Sequence, residues 1–289
     1  VLDSLGRRGE GPDEFGYVTS IFPLNADSVL VQDDTNQRVQ VISGGKVVCT
    51  TRFAAWAGNA GHELQGRLPN GRFSLAPVSF RPGQHREPGW VPFPIVTATP
   101  DLGRIDTIGY MDVFQTRPPD DRNPVRYFGL LVQSGDVLVH VRTDRPEAMW
   151  MDQSGGIYQV ARWDPGPRSL GESDWEQFEA RVRSYSEAGP ELESRLREQR
   201  EDFGGERPVA SYAYGDADGN LWLAEHRFSG LRAERFTVLS GDGALIGTVR
   251  FPANVEVLSI SSDHLLVIER DEWDVQAVAL YSLEKTAAK

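Results

Sequence analysis

A small set of histidines and carboxylates has the chemistry to support acid–base catalysis or to hold a cation. Imidazole titrates near neutral pH, and imidazole together with carboxylate can coordinate a divalent metal. We therefore expect any general acid, general base or metal ligand to come from His62, Glu63, His140, Glu225 and His226. His140 is the weakest of these because it lies in the apolar run VLVHVR, which is typical of a half-buried strand histidine. The catalytic candidates are therefore the other four.

No recognised catalytic motif surrounds these residues. The sequence contains no H-E-x-x-H, no Asp-rich calcium loop, no G-x-S-x-G and no phosphate-binding glycine loop followed by lysine. We therefore predict no definite cofactor, with calcium in a central channel as the one candidate cation. Two interpretations stay open for Glu225 and His226: a solvated rim with ion pairs between neighbouring sheets, which we favour, or a functional site. The acidic pairs at 33–34 and 120–121 are typical of turns.

A second set of charged residues is expected where strands end and loops emerge on one face of the fold. This predicted ligand-binding face consists of Arg7, Arg8, Glu10, Asp33, Arg142, Arg227, Glu269 and Arg270. Within it, the segment GRRGEGPDEF (residues 6–15) has glycines that allow close approach and two arginines that could clamp an anion. We favour the alternative that it is a turn between sheets, in which Phe15 anchors into the core and Glu10 or Glu14 pairs with an arginine.

Composition excludes several classes of partner. A formal net charge of −12 argues against nucleic acid, which needs a Lys/Arg stripe that this sequence lacks. No apolar run approaches the roughly 18 residues that a membrane span needs. The single cysteine, Cys49 in KVVCTT, excludes an internal disulfide, and we expect a buried structural thiol. The chain opens on VLDSLGRRGEGPDEF without the features of a signal peptide, so any export signal is absent or has been removed.

The elements that must position these side chains are visible as internal repeats. A polar turn followed by a β-rich run occurs five times, as NADSVLVQDD, PNGRFSLAPV, QSGDVLVHVR, DADGNLWLAEH and SSDHLLVIER. The first two runs and the last two runs are each 44 residues apart, which matches the period of four-stranded propeller blades. We interpret each run as the second strand of a blade.

A second repeated unit supplies the outer strands. It consists of a Gly-containing turn and an alternating strand in SGGKVVCTTRF, PDLGRIDTIGY, QSGGIYQVARW and SGDGALIGTVRF. The last blade ends after a third strand, DVQAVALYSL, and we expect residues 1–5 to supply its outer strand and close the ring. The prediction is one all-β propeller domain over residues 1–289, with blades at about 15–54, 62–110, 125–163, 208–252 and 255–283 plus 1–5.

The longer gaps between repeats hold insertions. Two are Pro-rich, at 81–94 and 116–124, and one at 171–203 is predicted to be helical from about 173. Ser173 followed by Glu176 suggests a capping box, and an apolar stripe at helical spacing follows: Trp175, Phe178, Val182 and Tyr185. We expect this stripe to pack onto the propeller, with a partner-docking surface as the alternative.

Four segments resemble bacterial six-bladed β-propeller proteins of the NHL-repeat-like type, in the TolB-like superfamily. They are GRRGEGPDEF, DADGNLWLAEH, the WDPGP stretch before the helix and the ending ERDEWDVQAVALYSL. The resemblance implies a further blade before the first segment, so either this is a closed ring of five or a sixth blade lies outside the given chain. It also implies a mature periplasmic or secreted protein, since relatives of this kind are exported.

Three functions follow as hypotheses. The first is a non-catalytic propeller scaffold of the cell envelope that binds a protein or small-molecule ligand through its loop face, and that is a monomer unless it docks in a larger complex. The second is a metal-dependent hydrolase or lyase of the lactonase-like type at the channel mouth, for which the available ligand types are Glu63, Asn70, Glu225, His226 and Glu269. The third is a peripheral subunit of a larger envelope assembly, docked through its insertions.

Overall fold

The computed structural model describes residues 6–25, 27–52, 62–77, 88–99, 103–118, 120–229, 233–273 and 275–284, without the side chains of residues 62, 63 and 77. The chain divides into two compact units. The first unit comprises residues 1–84, 93–110 and 153–155, and the second comprises residues 85–92, 111–152 and 156–289.

The first two sheets follow a short parallel ladder near the start of the chain. The ladder pairs β1 (Arg7–Arg8) with β2 (Glu14–Phe15). The first blade has the strand order β3-β4-β5-β6 and the second β7-β8-β9-β10. Their bounds are β3 (Val18–Asn25), β4 (Ser28–Asp33), β5 (Arg38–Ser43), β6 (Lys46–Arg52), β7 (His62–Arg67), β8 (Phe73–Pro77), β9 (Gly89–Ala98) and β10 (Ile105–Thr116).

Three further sheets and two helices complete the described chain. The third blade is β11 (Gly129–Ser134), β12 (Val137–Arg142), β13 (Glu147–Met151) and β14 (Ile157–Arg162). The helices α1 (Glu172–Tyr185) and α2 (Pro190–Asp202) follow it. The fourth blade is β15 (Tyr212–Gly215), β16 (Leu221–Ala224), β17 (Arg235–Leu239) and β18 (Leu245–Arg250), and the fifth is β19 (Val255–Ile260), β20 (His264–Arg270) and β21 (Gln276–Ser282).

These five sheets are the blades of an all-β propeller, as the repeats predict. All five β-rich runs form the second strand of their sheet, and the four Gly-turn units form fourth strands. In the part of the chain that the structure describes, the fifth blade has three strands, and no sixth blade is present. The expected closure by residues 1–5 lies outside the described residues and stays a prediction.

The inner strands are held by apolar packing inside each unit. In the first unit, Leu30, Phe73 and Leu75 are almost fully buried together. In the second unit, Trp150 and Leu221 lie in the cluster that joins the third and fourth blades. Burial of large side chains of this kind stabilises a fold by about 1.5–3 kcal/mol each. The outer strands, by contrast, expose both faces over much of their length.

Two predictions about the outer parts of the chain are wrong. Cys49 is exposed, not buried, because it lies on the fourth strand β6, where the alternation of strand faces does not bury either side. The Pro-rich stretch at 81–94 is not wholly an insertion, because β9 begins at Gly89 and includes Pro92 and Pro94. Both prolines precede the described pairing of β9 with β8, which involves residues 96–98, so neither removes one of those hydrogen bonds.

The helical insertion also begins differently from the prediction. Its N-cap is Gly171, and the carboxylate of Asp174 accepts a hydrogen bond from the Gly171 N–H at 3.0 Å, so the capping box is not formed by Ser173 and Glu176. Trp175 and Val182 of the predicted stripe are buried, but their cluster consists of helical-insertion residues such as Leu192 and Leu196 of α2, whereas the prediction had the stripe packing onto the propeller. Tyr185 is 68% exposed and does not belong to the buried face.

Candidate functional site

The loop that carries Arg7, Arg8 and Glu10 is held by side chains of the first blade. The Arg38 guanidinium donates to the carbonyl oxygens of Glu10 at 3.1 Å and Gly11 at 2.8 Å, and also to that of Glu14. Asn36 and Gln40 donate to further carbonyls of the same loop. Peptide oxygens thus surround Arg38, which is the arrangement expected of a structural turn.

Asp33, a predicted ligand-binding residue, supports this loop from below. Its side chain is fully buried and accepts hydrogen bonds from the backbone N–H groups of Gly16 and Tyr17 at 3.0 Å each. Burial raises the pKa of Asp33, but these bonds and those from Asn36 outweigh it, so the pKa lies below its usual value. The Asp33 carboxylate therefore has a structural role in holding this loop.

The exposed members of this loop are less constrained. Arg7 donates to the carboxylate of Glu14 at 2.6 Å, whereas Arg8 and Glu10 are exposed. Arg7 and Arg8 border a shallow surface cavity in the first unit. They could contact a partner at the surface, and this role stays a prediction.

Arg142 and His140, on β12 of the second unit, are held by local partners. Arg142 binds Asp112 at 3.0 Å and Asp144 at 2.7 Å, and its guanidinium lies 4.2 Å from the ring centre of Trp90. His140 Nε2 donates to the carbonyl of Asp112 at 3.0 Å, and burial lowers the pKa of its ring. The contacts of Arg142 and His140 are therefore structural contacts of the third blade.

The remaining predicted residues lie at several strand ends. Glu269 and Arg270 end β20, where the hydroxyl of Tyr281 donates to Glu269. Asn70 lies in the turn before β8 and accepts from the Arg72 N–H at 3.0 Å. The catalytic candidates at 62 and 63 begin β7, and their side chains lie outside the described part of the structure.

Three of the predicted residues, Glu225, His226 and Arg227, meet in one cavity of the second unit. This polar cavity has a volume of about 320 Å³ and lies beside the start of α1 and the fourth blade. Its lining consists of Asp174, Gln177, Arg207, Glu225, His226, Arg227, Glu234, Arg235, Arg250 and Phe251. The size is at the lower end of the range that takes a small organic molecule.

Two ion pairs fix part of the lining. Arg207 binds Asp174 at 2.7 Å, and Asp174 is buried at the start of α1. Arg227 binds Glu234 across the loop between the second and third strands of the fourth blade. Each of these carboxylates is thus held by an arginine of the same lining.

His226 is kept neutral by its surroundings. Burial lowers its pKa to about 4, with further lowering by the positive charges of Arg207 and Arg181, and only Asp174 opposes this. Its Nδ1 lies 3.0 Å from the hydroxyl oxygen of Ser211, and its ring meets that of Phe228 edge to face. A serine beside a histidine is a possible nucleophile and base, but a base with a pKa of about 4 accepts a proton from serine only weakly.

Sequence reasoning missed most of the cavity wall. Asp174 and Gln177 belong to the helix, Arg207 follows it, and Arg235 and Arg250 lie at strand ends in the fourth blade. The one available signal was positional, since Arg235 begins a third strand and charged residues occupy that position in the first and third blades as well.

Two properties of the described residues concern metals and membranes. No group of three or more His, Cys, Asp or Glu residues is placed to hold a metal ion there. Within the same residues, neither helix is long and apolar enough to cross a membrane.

The sheets and the cavity define a β-propeller that carries a helical hairpin and a polar pocket in its second unit. No protein-family model matches the chain, and no curated protein matches its sequence. Among solved structures, it is similar to a DUF4221-family protein from Bacteroides vulgatus, with a TM-score of 0.54 and 13% identity over 94% of this chain and 81% of the other.

Two further solved structures match at lower similarity. A candidate exported protein of Bacteroides fragilis matches with a TM-score of 0.48 and 12% identity, over 92% of this chain and 70% of that one. Virginiamycin B lyase from Staphylococcus aureus matches with a TM-score of 0.42 and 10% identity, over 96% and 72%. At these identities the likeness shows the fold alone.

Proposed function

We propose that this protein is a non-catalytic binding propeller that holds a small polar ligand in the polar cavity of its second unit. The observation that supports this proposal most is the cavity itself, in which four arginines, three carboxylates and a histidine surround about 320 Å³. Asp174 and Glu234 are engaged by arginines, and His226 is neutral at physiological pH. The cavity thus offers many hydrogen-bonding groups and a weak base, which suits recognition better than bond cleavage.

The helical insertion gives the cavity a wall that a small ligand would contact. Gln177 projects from α1 into the lining, and α1 is anchored by Trp175 against Phe203 and by the pairing of Asp174 with Arg207. Such a wall holds the cavity in shape before a ligand arrives, which lowers the entropic cost of binding.

A cavity-filling substitution tests this proposal. Gln177→Trp places an indole in the cavity, whereas Glu176→Trp places the same group on the exposed face of α1 and serves as the matched control. A library of small polar metabolites would be screened by thermal shift against the native protein and both variants. We expect a ligand that stabilises the native protein and Glu176→Trp but not Gln177→Trp. Stabilisation that is the same in all three would place the ligand elsewhere and contradict the proposal.

A turnover assay addresses the hydrolase or lyase alternative. Lactone and ester panels would be run with the native protein, with and without added calcium, and with His226→Ala. We expect no turnover above buffer. Turnover that requires calcium or His226 would show that the protein is an enzyme.

We extend the proposal to the organisation and location of the protein. All 289 residues form one propeller domain, monomeric unless docked in a larger assembly, and the protein works in the cell envelope after export. The sequence resemblance to exported bacterial propellers supports the location. Protease accessibility in intact cells and in isolated periplasm, measured on the full-length gene product, tests it.

A further inference from the structure

One row of charged residues crosses the fourth blade at the edge of the polar cavity. Arg235, the first residue of β17, lies directly opposite Arg250, the last residue of β18. On its other side, the Glu225 N–H donates to the Arg235 carbonyl oxygen at 2.9 Å, which places Glu225 next in the same row. All three line the cavity, so the row presents one carboxylate and two guanidinium groups to it.

The first and third blades have the same row, and there the chain supplies partners. In the first blade the row is Asp33, Arg38 and Arg52, and peptide oxygens of the loop at residues 10–14 bind the central arginine. In the third blade the row is Arg142, Glu147 and Arg162.

The contacts of the third-blade row are all made within the second unit. Arg162 binds Glu147 at 2.6 Å, and the first-position arginine binds Asp112 and Asp144. In both blades, therefore, the charged side chain at the central position of the row lies beside groups of opposite charge or polarity that pair with it.

The fourth blade lacks such partners among the described residues. Neither Arg235 nor Arg250 has a side-chain hydrogen bond or ion pair, and both are exposed. Directly opposite residues on antiparallel strands have Cβ atoms about 4.5–5.5 Å apart, and like charges at that distance destabilise a sheet. The fold thus places two arginines side by side, and neither forms an ion pair with Glu225 or with another described residue.

The charge of the cavity shows what the missing partner should be. Asp174 with Arg207 and Glu234 with Arg227 form neutral pairs, and His226 is neutral. What remains is the row, with two positive charges and one negative charge. Guanidinium groups on two directly opposite residues suit an oxygen-rich anion, because each can donate two parallel hydrogen bonds.

We propose that Arg235 and Arg250 form an oxyanion-binding site that holds the carboxylate or phosphate group of a small ligand in the polar cavity. This inference rests on the proposed function, since it names the chemical class that the cavity would take. Glu225 lies beside the site and accepts a hydrogen bond from a hydroxyl or ammonium group of the same ligand. The ligand therefore carries an anionic end and a donor group close to it.

The experiment uses the full chain and two simple probes. Inorganic phosphate and acetate are titrated separately into protein kept in chloride, at constant ionic strength, and the Tm and the arginine Nε–H NMR signals are followed. We expect saturable binding of at least one probe to the native protein. Binding of phosphate alone would indicate a phosphate ligand, and binding of acetate alone a carboxylate.

Substitutions assign the binding to the row. Arg235→Gln and Arg250→Gln should each weaken probe binding about tenfold or more, because a hydrogen-bonded charged group is lost. Arg250→Lys keeps the charge and should retain part of the affinity. Arg52→Gln, at the same position of the first blade and also exposed, should bind like the native protein.

The Tm without a probe separates a binding role from a structural one. Arg250→Gln should keep or raise the probe-free Tm, since it relieves repulsion between like charges. A lowered Tm, no saturable binding of either probe, or equal weakening by Arg52→Gln would overturn the inference. If a library ligand is blocked by Gln177→Trp but binds Arg235→Gln and Arg250→Gln normally, the proposed function stands and the oxyanion site is wrong.

Discussion

The neutral state of His226 leads to a sharp prediction about how the stability of the protein depends on pH. Burial depresses the pKa of His226 to about 4, from an ordinary value of 6.5 in the unfolded chain. Between these values the unfolded chain binds a proton that the folded protein does not, so the free energy of unfolding falls as the pH is lowered. The contribution is fully present above pH 6.5 and is lost progressively below it.

The magnitude follows from the size of the shift. Each pH unit below 6.5 costs about 1.4 kcal/mol, so at pH 4.5 the loss due to His226 reaches about 2.7 kcal/mol at most. His226→Gln cannot take up the proton, and the variant should lack this part of the pH dependence. Other titrating groups affect the native protein and the variant alike, so they cancel in the difference.

The assay is urea unfolding at pH 7 and pH 4.5, followed by tryptophan fluorescence, for the native protein and His226→Gln. We expect the gap between the two proteins to change by about 2–3 kcal/mol in favour of the variant at the lower pH. His264→Gln removes a histidine outside the cavity and should keep the loss that His226 causes. An identical pH dependence in the native protein and His226→Gln would refute the neutral, desolvated histidine.

Three further predictions concern the scaffold. Arg38→Met should lower the free energy of unfolding by about 2–4 kcal/mol in urea melts, because it leaves three partly buried carbonyls unpaired. Arg52→Met on the adjacent strand should change it by less than about 0.5 kcal/mol. Gly215→Ala should lower the free energy of unfolding by more than about 2 kcal/mol, because the new Cβ would lie 2.0 Å from a carbonyl oxygen. The control is Gly204→Ala, whose Cβ would meet open space, and equal melting temperatures of the two variants would refute the prediction. Cys49 should react fully with a thiol reagent in the native protein, and protection until unfolding would contradict its exposure.

Much of the fold could be predicted because its signals are local. Turns such as the one at residues 218–220 and the apolar runs after them specify hairpins within a few residues, and each run became a second strand. The exposure of Cys49 was missed because periodicity shows that one face of a strand is apolar, but not whether a neighbouring sheet covers it. Gly171 was missed as a helix cap since the Ser173–Glu176 pattern satisfied the same spacing rule.

The candidate site was likewise predictable from the sequence only in part. Glu225, His226 and Arg227 could be predicted as site residues because they directly follow a strand that the sequence pattern predicts. The pairing of Arg235 with Arg250 depends on the register of a hairpin, and that of Asp174 with Arg207 depends on where a helix packs. Neither arrangement leaves a local pattern, since the partners are brought together only by folding.

The claim that the polar cavity is a binding site can be tested most directly by a crystal structure grown at neutral pH without oxyanions and then soaked in inorganic phosphate. We predict phosphate between the guanidinium groups of Arg235 and Arg250, with Glu225 free to accept from a donor beside it. Arginine side chains paired instead with Glu225, with phosphate elsewhere on the surface or nowhere, would contradict this account.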